Sequence, residues 1–171
     1  MSRGLKNGIS LVGVVILLLV LAALIPKKSV QAEVYTDATP AEVWQALMDT
    51  ASYGEWNPIF TAVRGRFREG GTMGLTMTLE DGSSAELETQ VMVLETDRLL
   101  NQTAGIPGVL TANHSWIIEP TAQGTRVIQF ETYRGIGVWF YDPSYVQVLY
   151  QQGLDALKTR LQSGAAASSE S

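Results

Sequence analysis

The sequence predicts an α+β chain: an antiparallel sheet closed by one long C-terminal helix, preceded by a single apolar N-terminal helix. Three observations predict it. Residues 9–25 carry no charge and are apolar from Leu11 to Ile25. From residue 59 to residue 134, strand-like runs follow one another across short turns with no helical spacing between them, which calls for antiparallel pairing. After Pro143 the apolar residues recur three and four apart and keep that spacing to Leu161.

The first element, 17 residues from Ile9 to Ile25 with Leu17 at its middle, extends roughly 25 Å as a helix against a hydrocarbon core of ~30 Å. Arg3 and Lys6 before it, and Lys27 and Lys28 after it, have the reach to snorkel to the headgroups. Residues 1–28 are therefore read as an uncleaved single-pass anchor in the cell membrane. Val30-Gln31-Ala32 offers small residues to a signal peptidase. Against cleavage, Lys27 and Lys28 intervene, and Val30 to Thr36 reads as the first strand. Basic residues on the two sides of the apolar run nearly tie. A short basic N-terminal tail favours the cytoplasm, which places the domain on the extracytoplasmic side.

Of the 12 Lys and Arg, four lie in residues 1–28, where there is no Asp or Glu; the remaining chain sets eight against 17 acidic residues, a formal charge of −9. Such a surface is repelled by phosphate backbones, so nucleic acid is excluded as a partner. There is no cysteine and one histidine, His114, and neither a phosphate loop nor a nucleophile elbow occurs. No metal and no cofactor is expected.

Thr39 to Pro58 is the most specific stretch. Thr39 with Glu42 makes a capping box, and Pro40 takes the first helical position, where its missing N–H is no loss. Val43, Trp44, Leu47 and Met48 share one face; a second short turn carries Tyr53 and Trp56, and Asn57-Pro58 forces an extended exit. In Thr72–Leu79, Thr and Gly alternate with Met and Leu, the period of a sheet with one buried face. Further strands are expected at 59–67, 85–95, 99–104, 112–119 and 125–134, with Ile106-Pro107-Gly108 breaking the run. The last helix should start at Asp142-Pro143, use Val146, Leu149, Tyr150, Leu154, Leu157 and Leu161, and stop near Gly164. One domain over 29–163 and a disordered tail over 164–171 follow.

The order Val43-Trp44, Leu47, then Tyr53-x-x-Trp56-Asn57-Pro58 resembles the polyketide cyclase/dehydrase branch of the START-like (SRPBCC, Bet v 1-like) superfamily. Glu119-Pro120, Gly124-Thr125-Arg126-Val127 and Ala156-Leu157-Lys158 extend the resemblance to roughly residues 30–162. It implies a helix-grip fold, in which a curved antiparallel sheet wraps the C-terminal helix around a largely apolar cavity. Some members of the wider superfamily carry lipids or quinones.

His114 is the first candidate for that cavity, because the alternation that turns Trp116 and Ile118 inward turns His114 inward as well. The opposing reading is a core-edge histidine satisfied by a strand neighbour. On the last strand two phases remain open. Burial of Ile128 and Phe130 avoids burying a carboxylate, whereas the resemblance turns Val127, Gln129, Glu131 and Tyr133 inward. Tyr145, Leu149 and Gly153 on the last helix complete the expected cavity set. Tyr141, Tyr145, Tyr150, Trp139 and Phe140 cluster around the start of that helix, where they either rim the cavity mouth or only pack the helix onto the sheet, the commoner role for such a cluster. Gly153 would leave room for a ligand or for a strand side chain. Trp44 and Trp56 are read as structural.

The reading that results is a membrane-tethered module binding a hydrophobic small molecule or lipid, rather than an enzyme. The first alternative is a cyclase, aromatase or dehydrase using His114 with Glu131 or a tyrosine as acid and base. The second is an adaptor whose pocket is filled by its own side chains.

Overall fold

The computed structural model describes residues 3–24, 28–79 and 81–169. Ile25, expected at the end of the anchor, lies outside the described residues, and of α1 (Arg3–Leu24) the side chains are described from Leu11 to Leu21. Ile9 and Leu17 both lie on this helix. Its apolar side chains from Leu11 to Leu21 are exposed on every side, and the helix touches a 3-10 turn at Ile136–Trp139. Among the described residues no helix is long and apolar enough to cross a membrane. The expected N-terminal helix is thus present, while the described residues by themselves show no transmembrane span.

The domain begins with β1 (Lys28–Thr36). It continues through α2 (Pro40–Met48) and α3 (Tyr53–Trp56). Six strands follow: β2 (Phe60–Arg64), β3 (Thr72–Thr78), β4 (Ser84–Glu95), β5 (Leu99–Ile106), β6 (Leu110–Thr121) and β7 (Gly124–Arg134). The chain then enters α4 (Ser144–Ser169). Among the described residues these seven strands form one antiparallel sheet in the order β1-β7-β6-β5-β4-β3-β2. The first two strands form its two edges, so the α2–α3 segment has to carry the chain from one edge to the other.

The α2 start is built as its sequence dictates. Glu42 N–H donates to Thr39 Oγ1 at 3.3 Å, and Thr39 N–H donates to the Glu42 carboxylate at 2.7 Å. These bonds hold the Glu42 carboxyl below its usual range. Val43, Trp44 and Leu47 are buried beneath the helix. After α3, buried Asn57 accepts from the N–H groups of Ile59 and Phe60, both at 2.9 Å, and this turn sets β2 on its course. Trp56 is half-buried against the Tyr53 ring at 5.2 Å, so it stiffens α3 from the side rather than from within the core.

On its inner side the sheet packs against α4. Val146, Tyr150, Leu154 and Leu157 of the helix meet Val30, Ala32 and Val34 of β1 and the central strands' Leu100, Trp116, Ile118 and Val127 in one core. Asp142 Oδ1 accepts from Ser144 N–H at 3.1 Å, capping α4 as the sequence suggests. At its other end α4 does not stop near Gly164 but continues to Ser169. Ala165, Ala166 and Ala167 are the best helix formers and offset one glycine, so the expected tail at 164–171 is helical over most of its length.

The two phases left open for β7 resolve in favour of Val127, Gln129, Glu131 and Tyr133 inward. Ile128 and Phe130 would turn inward only if the Glu131 carboxylate had no partner there. Glu131 has partners: Tyr133 of its own strand and Tyr150 of α4 both donate to it. Ile128 is buried too, on the other face, between Glu33 of β1 and Ile117 of β6.

Candidate functional site

Between the inner face of the sheet and α4 lies a cavity of about 300 Å³. Its walls are mostly apolar, with Leu75, Leu100 and Trp116 from the sheet and Leu149 from the helix. It is therefore not filled by the protein's own side chains, as the adaptor alternative requires.

The polar groups of the cavity are placed by strand register. Gln102 of β5 lies opposite His114 of β6, which lies opposite Glu131 of β7. Since facing residues of neighbouring strands point to the same side, the three make one polar row across an apolar surface. All three line the cavity. Gln102 Nε2 donates to Thr89 Oγ1 of β4 at 2.7 Å, which extends the row by one strand.

Glu131 is the best anchored of these groups. Its Oε2 accepts from the Tyr150 hydroxyl at 2.7 Å and from the Tyr133 hydroxyl. Burial and the neighbouring Glu131 carboxylate push both phenols far above the usual tyrosine range, so they stay protonated and act as hydrogen-bond donors. No hydrogen bond from the described residues reaches Glu131 Oε1, although Glu131 lines the cavity. The Tyr133 ring lies 5.1 Å from that of Tyr141, whose hydroxyl is 3.1 Å from the Tyr145 hydroxyl. A chain of phenols thus runs from the approach to α4 inward to the carboxylate.

His114 sits beside this group with its ring 5.1 Å from Tyr150 and 5.9 Å from Trp116. Its Nε2 is buried and has no hydrogen-bond partner among the described residues. The ring keeps some access to the cavity while lying deep in the protein. Burial holds His114 below the usual imidazole range, and the Glu131 carboxylate opposes that shift without cancelling it. A neutral imidazole with an unmet ring nitrogen offers one hydrogen bond to a molecule in the cavity.

Of the residues that sequence reasoning proposed for the cavity, His114, Trp116, Tyr133, Tyr145 and Leu149 line it, as does Glu131. Gln129 and Gly153 do not. Gln129 is fully buried in the core, and neither side-chain polar atom has a hydrogen-bond partner among the described residues. A Cβ at Gly153 would stand 3.1 Å from Ile59 Cδ1, so the glycine makes room for a core side chain rather than for a ligand. Trp139 and Phe140, expected at the rim, point outward and are exposed. Gln102 and Thr89 were missed. Their signal was the strand alternation that groups Gln102 with Leu100, but an isolated amide on such a face reads equally well as a satisfied core residue.

The family model for "Polyketide cyclase / dehydrase and lipid transport" matches residues 27–162. The chain belongs to this family. The match covers the domain from β1 into α4 and agrees with the START-like reading of the Val-Trp and Trp-Asn-Pro segments. Comparison with curated protein sequences returns no match. Solved structures share the fold at low identity. An AHSA1-like protein from Aeromonas hydrophila superposes with a TM-score of 0.63 at 19% identity, over 81% of this chain and 94% of that one. A Rhodobacter sphaeroides protein gives a TM-score of 0.66 at 17% identity, over 79% and 92%. The protein named Ara h 8.0201 gives 0.63 at 14% identity, over 80% and 98%. At these identities the likeness establishes the helix-grip architecture of this polyketide cyclase/dehydrase family member, while its site must be argued from its own residues.

Proposed function

We propose that this protein is a membrane-tethered binding module that holds a hydrophobic small molecule or lipid bearing one neutral polar group. The observation that carries this reading is the polar row of Gln102, His114 and Glu131 in a cavity otherwise walled by apolar side chains. A cavity of about 300 Å³ suits a small ligand whose body is desolvated by the walls and whose orientation is fixed by a few polar groups. A hydroxyl suits this row, since it donates to Glu131 Oε1 and exchanges a hydrogen bond with His114. A carboxylate head would face the Glu131 carboxylate and lose affinity. The tether is supported by α1, whose apolar side chains meet solvent on all sides. The basic residues on its two sides nearly tie, and the short basic N-terminal tail favours an extracytoplasmic domain.

The second reading, a cyclase- or dehydrase-type reaction, draws on His114 facing Glu131 across the sheet. Against it, Glu131 Oε2 is already occupied by two phenolic donors, which suits a fixed binding group better than a group that exchanges protons.

The test is mass spectrometry of organic extracts of the full chain purified from membranes in mild detergent. The expected result is a neutral, hydroxyl-bearing apolar molecule in near-stoichiometric amount, recovered in lower yield from His114→Ala. Recovery of fatty acids alone would overturn the ligand chemistry. Turnover of an added polyphenolic or polyketide-like substrate, abolished in the same variant, would favour the enzyme.

A further inference from the structure

The domain presents an apolar platform at one end of its sheet. The β5–β6 turn carries Ile106, 65% exposed, and Val109, 51% exposed; after β7 the chain carries Ile136 and Phe140, the last 90% exposed. These two loops form one body. Ile136 N–H donates to Gly108 O at 3.1 Å, and Gly137 N–H donates to Val109 O at 2.7 Å. Gly135 makes the approach possible: it has φ +112°, and a Cβ there would stand 2.5 Å from Val109 O. Large apolar side chains held outward on hydrogen-bonded loops call for an occupant.

The same end of the sheet is where α1 joins. Lys28, the first residue of β1, pairs with Tyr133 near the end of β7, and its Nζ donates to Tyr141 O behind the platform. Only residues 25–27 separate Leu24 from Lys28, a connection of four residue steps that spans at most about 14 Å. The turn that carries Ile136 itself touches α1. The platform also adjoins the cavity, whose lining includes Gly105 and Leu110 on either side of the β5–β6 turn.

We infer that Ile106, Val109, Ile136 and Phe140 dock the domain onto the apolar-to-headgroup boundary of the bilayer that holds α1, placing the cavity at the lipid surface. This rests on the tether proposed above. The occupant is a bilayer rather than an acidic or basic protein, because the four side chains are apolar and the connection to α1 leaves little reach to any other surface. With a formal charge of −9 beyond residue 28, the domain gains nothing from anionic lipid, so docking is apolar and insensitive to salt.

The chain has no cysteine, so single labels report cleanly. Full-length chains carrying Leu17→Cys, Ile106→Cys, Phe140→Cys or Met92→Cys are labelled with an environment-sensitive fluorophore and placed one per phosphatidylcholine nanodisc. Met92 is exposed on β4 and serves as the water reference. Labels at 106 and 140 should emit to the blue of the label at 92 and lose several-fold of its quenching by aqueous iodide, at low and high salt alike. Adding Val109→Asp should restore quenching at 140, which rules out insertion driven by the fluorophore itself. If 17 is shielded while 106 and 140 quench like 92, the docking surface is wrong and the tether stands. If 17 also quenches like 92, the tether itself fails. Shielding of 106 and 140 that appears only in discs holding two chains assigns the platform to a second copy and overturns the inference.

Discussion

Replacing Tyr150 by Phe removes one oxygen atom and keeps the ring, including its contact with His114 at 5.1 Å. The change is therefore read almost entirely at Glu131, whose Oε2 loses the 2.7 Å donation from α4 and keeps the one from Tyr133. Hydrogen bonds to a carboxylate contribute about 1.5–3 kcal/mol, so Tyr150→Phe should cost about 2 kcal/mol. For a chain of this size that corresponds to a fall of about 4–8 °C in melting temperature. In a Glu131→Gln background the same phenol meets a neutral carbonyl oxygen, worth about 0.5–1.5 kcal/mol, and Tyr150→Phe should then cost about 1 kcal/mol. The coupling between the two positions is thus about 1 kcal/mol. The assay is urea unfolding of the full chain in mild detergent, followed by circular dichroism at pH 8, for the parent, both single variants and the double variant. If Tyr150→Phe costs under about 0.5 kcal/mol, or costs the same in both backgrounds, the phenol does not support the carboxylate, and the argument for how β7 buries Glu131 collapses.

His114→Ala should weaken binding of the co-purifying ligand by about 1–3 kcal/mol in a titration, the cost of losing a buried polar partner, while Trp116 and Ile118 preserve the strand; unchanged affinity would leave His114 a core residue. Stability should also depend on His114 through pH. Its folded pKa lies below the ordinary 6.5, so as pH falls the unfolded chain takes up the proton first; the stability is complete above about 6.5 and drains away below it, with a slope of at most about 1.4 kcal/mol per pH unit. Unfolding curves at pH 8, 6.5 and 5.5 should show that loss in the parent and a smaller one in His114→Phe. Gly153→Leu should destabilise by about 1–3 kcal/mol, because the added side chain enters space held by Ile59; a ligand-dependent effect instead would return Gly153 to the cavity. Trp56→Ala should cost less than the ~3–5 kcal/mol typical of a fully buried ring, since Trp56 is only half-buried, and it should leave ligand affinity unchanged in the same titration.

Much of the architecture was legible because its causes are local. The Thr39–Glu42 box, the Pro40 position and the extended exit at Asn57-Pro58 are decided within four residues, and each forms as read. Strand positions followed from two-residue alternation and turn chemistry, which is why the expected strands agree with the observed ones to within a few residues. On β6, alternation alone placed His114 with Trp116 on the cavity side. The end of α4 was misjudged because Gly164 was weighed without the alanines that follow it.

The rest depended on contacts between elements distant in the chain. Which face of β7 turns inward could not be read from β7 itself, because the residue that makes burial of Glu131 tolerable is Tyr150, 19 residues away on a helix. Gln102 became a site residue only when register set it across from His114. Gly153, Trp139 and Phe140 each have the composition of a pocket, and only packing decided that the first accommodates Ile59 and the other two face outward. Periodicity reports which residues share a face. Whether a charge on that face is buried depends on the free energy of the groups it meets there, and those come from the tertiary fold.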